Sequence, residues 1–281
     1  MSVLFRVPPI GQARQKEMMK SAISFAYKET EQGPLSGHFF LPEGHQEGDE
    51  RTLVLFFHGG FWDSPMITQF VPQCLHFASR GAIAGVIETR LQGVHGTGPM
   101  EAIEDVDAFF AWLREKSEEV RLKLDRLVLG GTAGGAFLAL DQALRVPGKD
   151  KTSSVENPPA KALILYSALV NTTAPEIAAR FPQDGLAKKF NPLRRPRRHA
   201  PPMIFFHGRR DRLTPFPALA KFARKMKWRK NQVEIVDYEK AEHSFFNFNV
   251  SEFYFELTTK AADHFLVDLG LLEPNPFDDV V

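Results

Sequence analysis

Six short apolar runs, each separated from the next by a helical pattern or a polar break, constrain this chain more than any other feature. The runs LVLFFH (53–58), IAGVIE (83–88), RLVLGG (126–131), ALILYSA (162–168), MIFFH (203–207) and VEIVDY (233–238) are short, apolar and partly β-branched. Strands of this kind are covered on both faces, as in a buried parallel sheet. Helical periodicity lies between and after them, over 67–78, from Pro99 onward with Ile103, Val106, Phe110 and Leu113 on one face, and over 133–144, 216–226 and 251–269. The alternation predicts an α/β fold, a doubly wound and mostly parallel sheet with helices on both faces. GHFFLP (37–42) is expected as an antiparallel strand at the sheet edge. Two stretches break the rhythm: the polar, Pro/Gly-rich 145–161, and 171–202, which is expected to hold a short helix and form part of a lid.

Composition narrows the class. A chain of 281 residues, 43% of them hydrophobic, suits one α/β domain over 1–281 with its core at about 37–270. A net charge of +1 supplies no global field for nucleic acid or a membrane, and the acidic end FDDVV is too short to act as a tail, so small molecules are the expected partners of a monomer or homodimer. Cys74 is the only cysteine and sits in an apolar helical pattern, which excludes an intrachain disulfide and predicts a buried thiol. The apolar patch near the N-terminus is broken by Arg6, Pro8 and Pro9 and is too short for a signal-peptide core or a membrane span. A cytoplasmic location is expected, unless an export signal has been removed. With neither an HExxH pair nor a Cys/His cluster, no metal and no cofactor are expected.

Ligands of such sheets sit at the carboxyl ends of the strands. There the chain carries His58-Gly59-Gly60-Phe61-Trp62, then Gly130-Gly131-Thr132-Ala133-Gly134-Gly135, then Asp211, then His243. Nucleophile, acid and histidine thus follow in the order of a hydrolase triad. Small residues flanking Thr132 fit a tight strand-to-helix elbow, whose tip residue is forced toward positive φ and whose backbones approach too closely for larger side chains. Ser167 lacks a glycine elbow and is read as strand-end packing, and His207 is expected to bond backbone only. Asp237 and Glu239 also lie near the histidine loop, but the Gly-x-x-Asp pattern followed by Pro215 favours Asp211 as the acid. The basic run RRPRRH (194–199), with Lys188 and Lys189 upstream, is read as a solvated loop, with carboxylate or phosphate binding as the alternative.

On HGGFW, ETRLQGVHGTGPMEAIEDVDAFFAWLR, DRLVLGGTAGG, PPMIFFHGRRDRLTPF and EHSFFNF, the chain resembles the α/β-hydrolases of the hormone-sensitive-lipase-like group, and most closely their acetylxylan and feruloyl esterase-like relatives. The resemblance runs from about Gly37 to Leu269. It implies a carboxylesterase acting on short acyl groups, acetyl on a sugar among them, with Thr132 in place of the nucleophilic serine, Asp211 as acid and His243 as base. It further implies an oxyanion hole of backbone N–H groups at Gly60, Phe61 and Ala133, with His58, Gly131 and Gly134 structural. Phe61 replaces the third glycine of the family loop, as in the His-Gly-Gly-Tyr-Trp loop of kynurenine formamidases. A threonine hydroxyl can act as a nucleophile, yet a β-branched residue at a strained tip restricts χ1 and misaims Oγ1. Two functions therefore remain, a Thr-His-Asp esterase and a catalytically impaired or non-catalytic binder of an ester or saccharide. Oγ1 of Thr132 within hydrogen-bond reach of His243 would favour the first, and its methyl pointing there the second. On the esterase reading Thr132→Ser is expected to be faster than the parent.

Overall fold

Eight strands form one sheet in the order β1-β2-β4-β3-β5-β6-β7-β8 in a computed structural model that describes residues 10–46, 48–119, 124–145 and 157–275. The strands are β1 (Ile23–Lys28), β2 (Leu35–Phe40), β3 (Leu53–Phe57), β4 (Ile83–Ile87), β5 (Leu127–Thr132), β6 (Ala162–Ala168), β7 (Met203–Gly208) and β8 (Val233–Tyr238). Pairing from β4 through β8 is parallel, whereas β1–β2 and β2–β4 are antiparallel. Helices are α1 (Ile10–Met19), α2 (Val71–Ser79), α3 (Gln92–His95), α4 (Pro99–Glu119), α5 (Ala133–Leu144), α6 (Pro175–Ala178), α7 (Leu186–Lys189), α8 (Phe216–Trp228) and α9 (Glu252–Asp268). This is the α/β-hydrolase fold.

Alternation along the buried strands divides the core into two layers. On one face Leu55, Phe57, Leu129, Leu165 and Phe205 pack with Val106, Phe137 and Phe222 from α4, α5 and α8. On the other, Val54, Phe56, Val128, Ile164 and Phe206 pack with Phe77 and Cys74 from α2 and Phe265 and Leu266 from α9. Covering both faces is what makes these strands read as continuous apolar runs. Cys74 is a buried free thiol.

Several expectations need correction. The antiparallel strand at 35–40 is not the edge, because ISFAYK pairs outside it as β1 with most of its side chains exposed. The helix expected over 67–78 opens with a 3₁₀ turn, Ile67–Phe70, before α2. The stretch 171–202 does hold short helix, as two one-turn helices with a 3₁₀ turn, and Ile177, Phe181, Ala187 and Phe190 are buried in the main core. Within the basic run Arg195 pairs with the buried Asp141, and Arg197 donates to the Ala143 carbonyl, so part of that run is a structural staple. The readings of the N-terminal patch and the acidic end concern residues 1–9 and 277–281, and the polar loop at 145–161 falls mostly on 146–156; these lie outside the described residues. Among the described residues no helix is long and apolar enough to cross a membrane.

Candidate active site

The turn between β5 and α5 is built from crossing glycines. A Cβ on Gly131 would lie 2.6 Å from the Gly135 carbonyl carbon and 2.7 Å from the Phe57 oxygen, and one on Gly135 would lie 2.1 Å from that oxygen. The residues brought together are therefore 131 and 135, two before and two after Ala133. Ala133 is the residue with positive φ, 48°. Thr132 still belongs to the strand, with φ −133° and ψ 153°. The expected assignment of the tip to Thr132 is thus off by one residue: the G-x-tip-x-G elbow reads Gly131-Thr132-Ala133-Gly134-Gly135. Gly130, assigned to the elbow from sequence, is small for another reason, since a Cβ there would lie 2.5 Å from the Phe56 ring.

The displacement removes the hydroxyl from the tip. Thr132 is 2% exposed and its Oγ1 has no hydrogen-bond partner. Strand alternation points its side chain with Val128 and Gly130 toward the α2–α9 face, where Cγ2 would lie 2.8 Å from a Cβ on Gly59. Neither of the two arrangements expected for Thr132 is found: no hydrogen bond joins its hydroxyl to His243, and its methyl faces Gly59.

Asp211 and His243, expected as acid and base, do meet. His243 Nδ1 donates to Asp211 Oδ2 at 2.8 Å. The same carboxylate accepts from Thr214 Oγ1 at 2.7 Å, and Oδ1 accepts from the Leu213 and Thr214 amides at 2.9 and 2.8 Å. Burial alone would raise the Asp211 carboxyl, but the His243 hydrogen bond and charge, with the Thr214 contacts, hold it below the ordinary carboxylate range. Asp237 is tied instead to Arg209, and Glu239 is exposed. Ser167 is fully buried and donates to the His243 carbonyl at 2.7 Å, so it supports the histidine loop. His207 Nε2 donates to the Thr214 carbonyl at 2.7 Å, and burial keeps its imidazole below its usual pKa. It also stands 3.5 Å from the Asp211 carboxylate, a contact beyond the backbone role expected of it.

The loop after β3 is strained over three residues, with φ of 99° at Gly60, 48° at Phe61 and 65° at Trp62. A Cβ on Gly134 would lie 3.2 Å from Phe61 Cα, which sets the residue after the tip against this loop. Gly134, not Ala133, thus holds the position whose amide would complete an oxyanion hole with Gly60 or Phe61. His58 is buried, which holds its imidazole below its usual pKa, and it donates from Nδ1 to the Gly59 carbonyl at 2.9 Å. The Phe61 ring stacks on the His243 imidazole, with centroids 5.6 Å apart and planes at 22°.

Two groups that sequence reading missed tie the site together. Gly59 N donates to Gln69 Oε1 at 2.9 Å, and Gln69 Nε2 donates to Asn247 Oδ1 at 3.0 Å, a buried bridge from the loop after β3 to the histidine loop. Their positions, 178 residues apart, carry no local pattern that pairs them. Among the described residues no group of three or more His, Cys, Asp or Glu side chains could hold a metal ion.

Comparison with known proteins agrees with the fold. The Dienelactone hydrolase family model matches residues 164–266, a span that contains Asp211 and His243 but not the elbow. No curated protein matches. Among solved structures, Thermogutta terrifontis esterase 2 phosphorylated by paraoxon is 30% identical with a TM-score of 0.81, covering 92% of this chain and 97% of its own. The native form of that thermophilic planctomycete esterase is 29% identical at 0.81, with 92% and 96% covered, and the propionate-bound form is 30% identical at 0.80, with 92% and 97% covered. At this identity, over nearly the full length of both chains, the protein belongs to the α/β-hydrolase family of esterases.

Proposed function

We propose that this chain acts on short-acyl carboxylic esters, acetyl esters of sugars among them, and that His243 activates a water molecule rather than a side-chain hydroxyl. One observation carries the reading: the 2.8 Å His243–Asp211 bond is intact beside an elbow whose tip is Ala133. With Nδ1–H donated to Asp211, Nε2 is the acceptor of the ring. Water attacks the ester carbonyl carbon as its proton passes to Nε2, and the developing oxyanion is held by backbone N–H groups at Phe61 and Gly134. Collapse breaks the carbonyl–alkoxy bond, the imidazolium returns its proton to the leaving alcohol, and the carboxylic acid departs. No acyl-enzyme forms. An oxyanion hole with substrate binding but no nucleophile still gives roughly 10³–10⁴-fold over water, so turnover is slow.

Short acyl groups are favoured because Phe61 lies over the base, and because the Thermogutta esterase has been solved with propionate and with butyrate bound. The missing hydroxyl also favours a second reading, a protein that binds an ester in the same cleft and leaves it intact. A panel of short-chain aryl esters and acetylated sugars, run with a fluorophosphonate label, separates the possibilities. Slow, burst-free turnover without an adduct, abolished in His243→Ala, is the expected result. Saturable binding without turnover selects the second reading, and a labelled Thr132 overturns both.

A further inference from the structure

The loop after β3 is held from outside through three successive carbonyls, those of Phe61, Trp62 and Asp63. Trp62 O accepts from the Gln92 amide at 2.7 Å and Asp63 O from the Gly93 amide at 2.9 Å, both backbone contacts at the start of α3. The first of the three, Phe61 O, accepts from a side chain: Arg180 Nη1 at 3.0 Å. The same Nη1 pairs with the Asp63 carboxylate, and Asp63 N in turn donates to Gly60 O at 2.9 Å, closing the turn. The next residue, Phe181, is edge-on to Trp62 with centroids 6.2 Å apart. Two adjacent residues just after α6 thus grip two adjacent residues of the loop. Non-glycine residues at positive φ persist only where their surroundings hold them, and the Phe61 carbonyl is held by the guanidinium.

We propose that Arg180 is a positioning residue for ester hydrolysis: by fixing the Phe61 carbonyl and Asp63 it aims the Phe61 amide at the carbonyl oxygen and keeps the Phe61 ring on His243. The proposal rests on the reading that this cleft hydrolyses short-acyl esters. Arg180 acts on the loop itself, through Phe61 O and the Asp63 carboxylate. Its effect passes through Phe61, whose displacement by about an ångström is enough to cost on the order of a hundredfold in rate. Such an effect falls on the transition state, where the oxyanion is charged, more than on the neutral ester.

Arg180→Ala and Arg180→Lys, compared with the parent on p-nitrophenyl acetate, test this, with melting temperature measured alongside. The expected result is a kcat about ten- to a hundredfold lower in Arg180→Ala with KM within about twofold, an unchanged melting temperature, and partial recovery in Arg180→Lys. An unchanged kcat, or losses in kcat and KM that follow a lower melting temperature, overturns it. A second readout needs no turnover: titration with acetate should move the Phe61 amide resonance in the parent and not in Arg180→Ala. If the parent hydrolyses nothing but that difference is seen, the ester reading fails and the Arg180 clamp stands. Equal acetate responses in the two proteins overturn the clamp.

Discussion

Thr132 and Ala133 differ by one position, and that position decides what chemistry the elbow supports. The ambiguity is written into GGTAGG, whose glycines pair at a spacing of four in two ways, 130 with 134 and 131 with 135. The sequence favours a hydroxyl at the tip by analogy. The packing selects the second pair, because Gly131 and Gly135 cross beside the Phe57 carbonyl. Asp211 and His243, which the fold brings into hydrogen-bond contact, could be picked out because each follows a strand, the buried β7 and the half-buried β8, in a recognisable local pattern. Thr214, Gln69, Asn247 and Arg180 could not, since they act through contacts that only the folded chain creates. The buried, unpartnered hydroxyl yields a direct prediction: Thr132→Val, nearly isosteric, should leave turnover unchanged and stability equal or higher, because an unsatisfied buried hydroxyl costs about 1–3 kcal/mol. Turnover on the ester panel and the urea midpoint check it. Asp211 gives a pH prediction. Its folded pKa is depressed, so its contribution to stability is present above the unfolded carboxylate value of about 3.9 and is lost as pH falls through the lower, folded value. Asp211→Asn should therefore flatten the loss of stability on acidification below about pH 4, measured as melting temperature against pH.

Among elements, the β5–α5 elbow and the loop after β3 fix each other. At Gly135 the contact is backbone on backbone, which leaves no side chain able to give way. Gly135→Ala would set a methyl 2.1 Å from the Phe57 oxygen, so it should destabilise by about 3 kcal/mol or more, or fail to fold. Gly134→Ala meets Trp62 at 3.1 Å and Phe61 Cα at 3.2 Å and should cost less, with its effect appearing in turnover. Denaturant midpoints of the two variants, side by side, rank the contacts. The element pattern explains which parts of the fold could be read in advance. Buried parallel strands advertise themselves as apolar runs, whereas β1, an exposed edge strand, and α1, without a strong apolar stripe, give no comparable signal.

For the molecule as a whole, two aromatic-rich layers keep the strand ends in place, and the site stands where the loops after β3, β5, β7 and the edge strand β8 meet. Phe56 lies inside the α2–α9 layer, fully buried and stacked on Phe70 at 4.6 Å. Phe56→Ala should lower global stability by about 3–5 kcal/mol, read from the urea midpoint. On the proposed reading, His243, Asp211 and the loop after β3 form the site while the elbow's tip residue, Ala133, carries only a methyl. The measurement that tests this most directly compares Ala133→Ser with Thr132→Ser, by fluorophosphonate labelling and by turnover of short-chain aryl esters. Ala133→Ser should gain an adduct at 133, a burst of product and turnover at least about a hundredfold above the parent, equivalent to about 2.7 kcal/mol of barrier, while Thr132→Ser remains unlabelled and as slow as the parent. An adduct and faster turnover in Thr132→Ser, with Ala133→Ser inert, would place the tip at 132 and contradict the account.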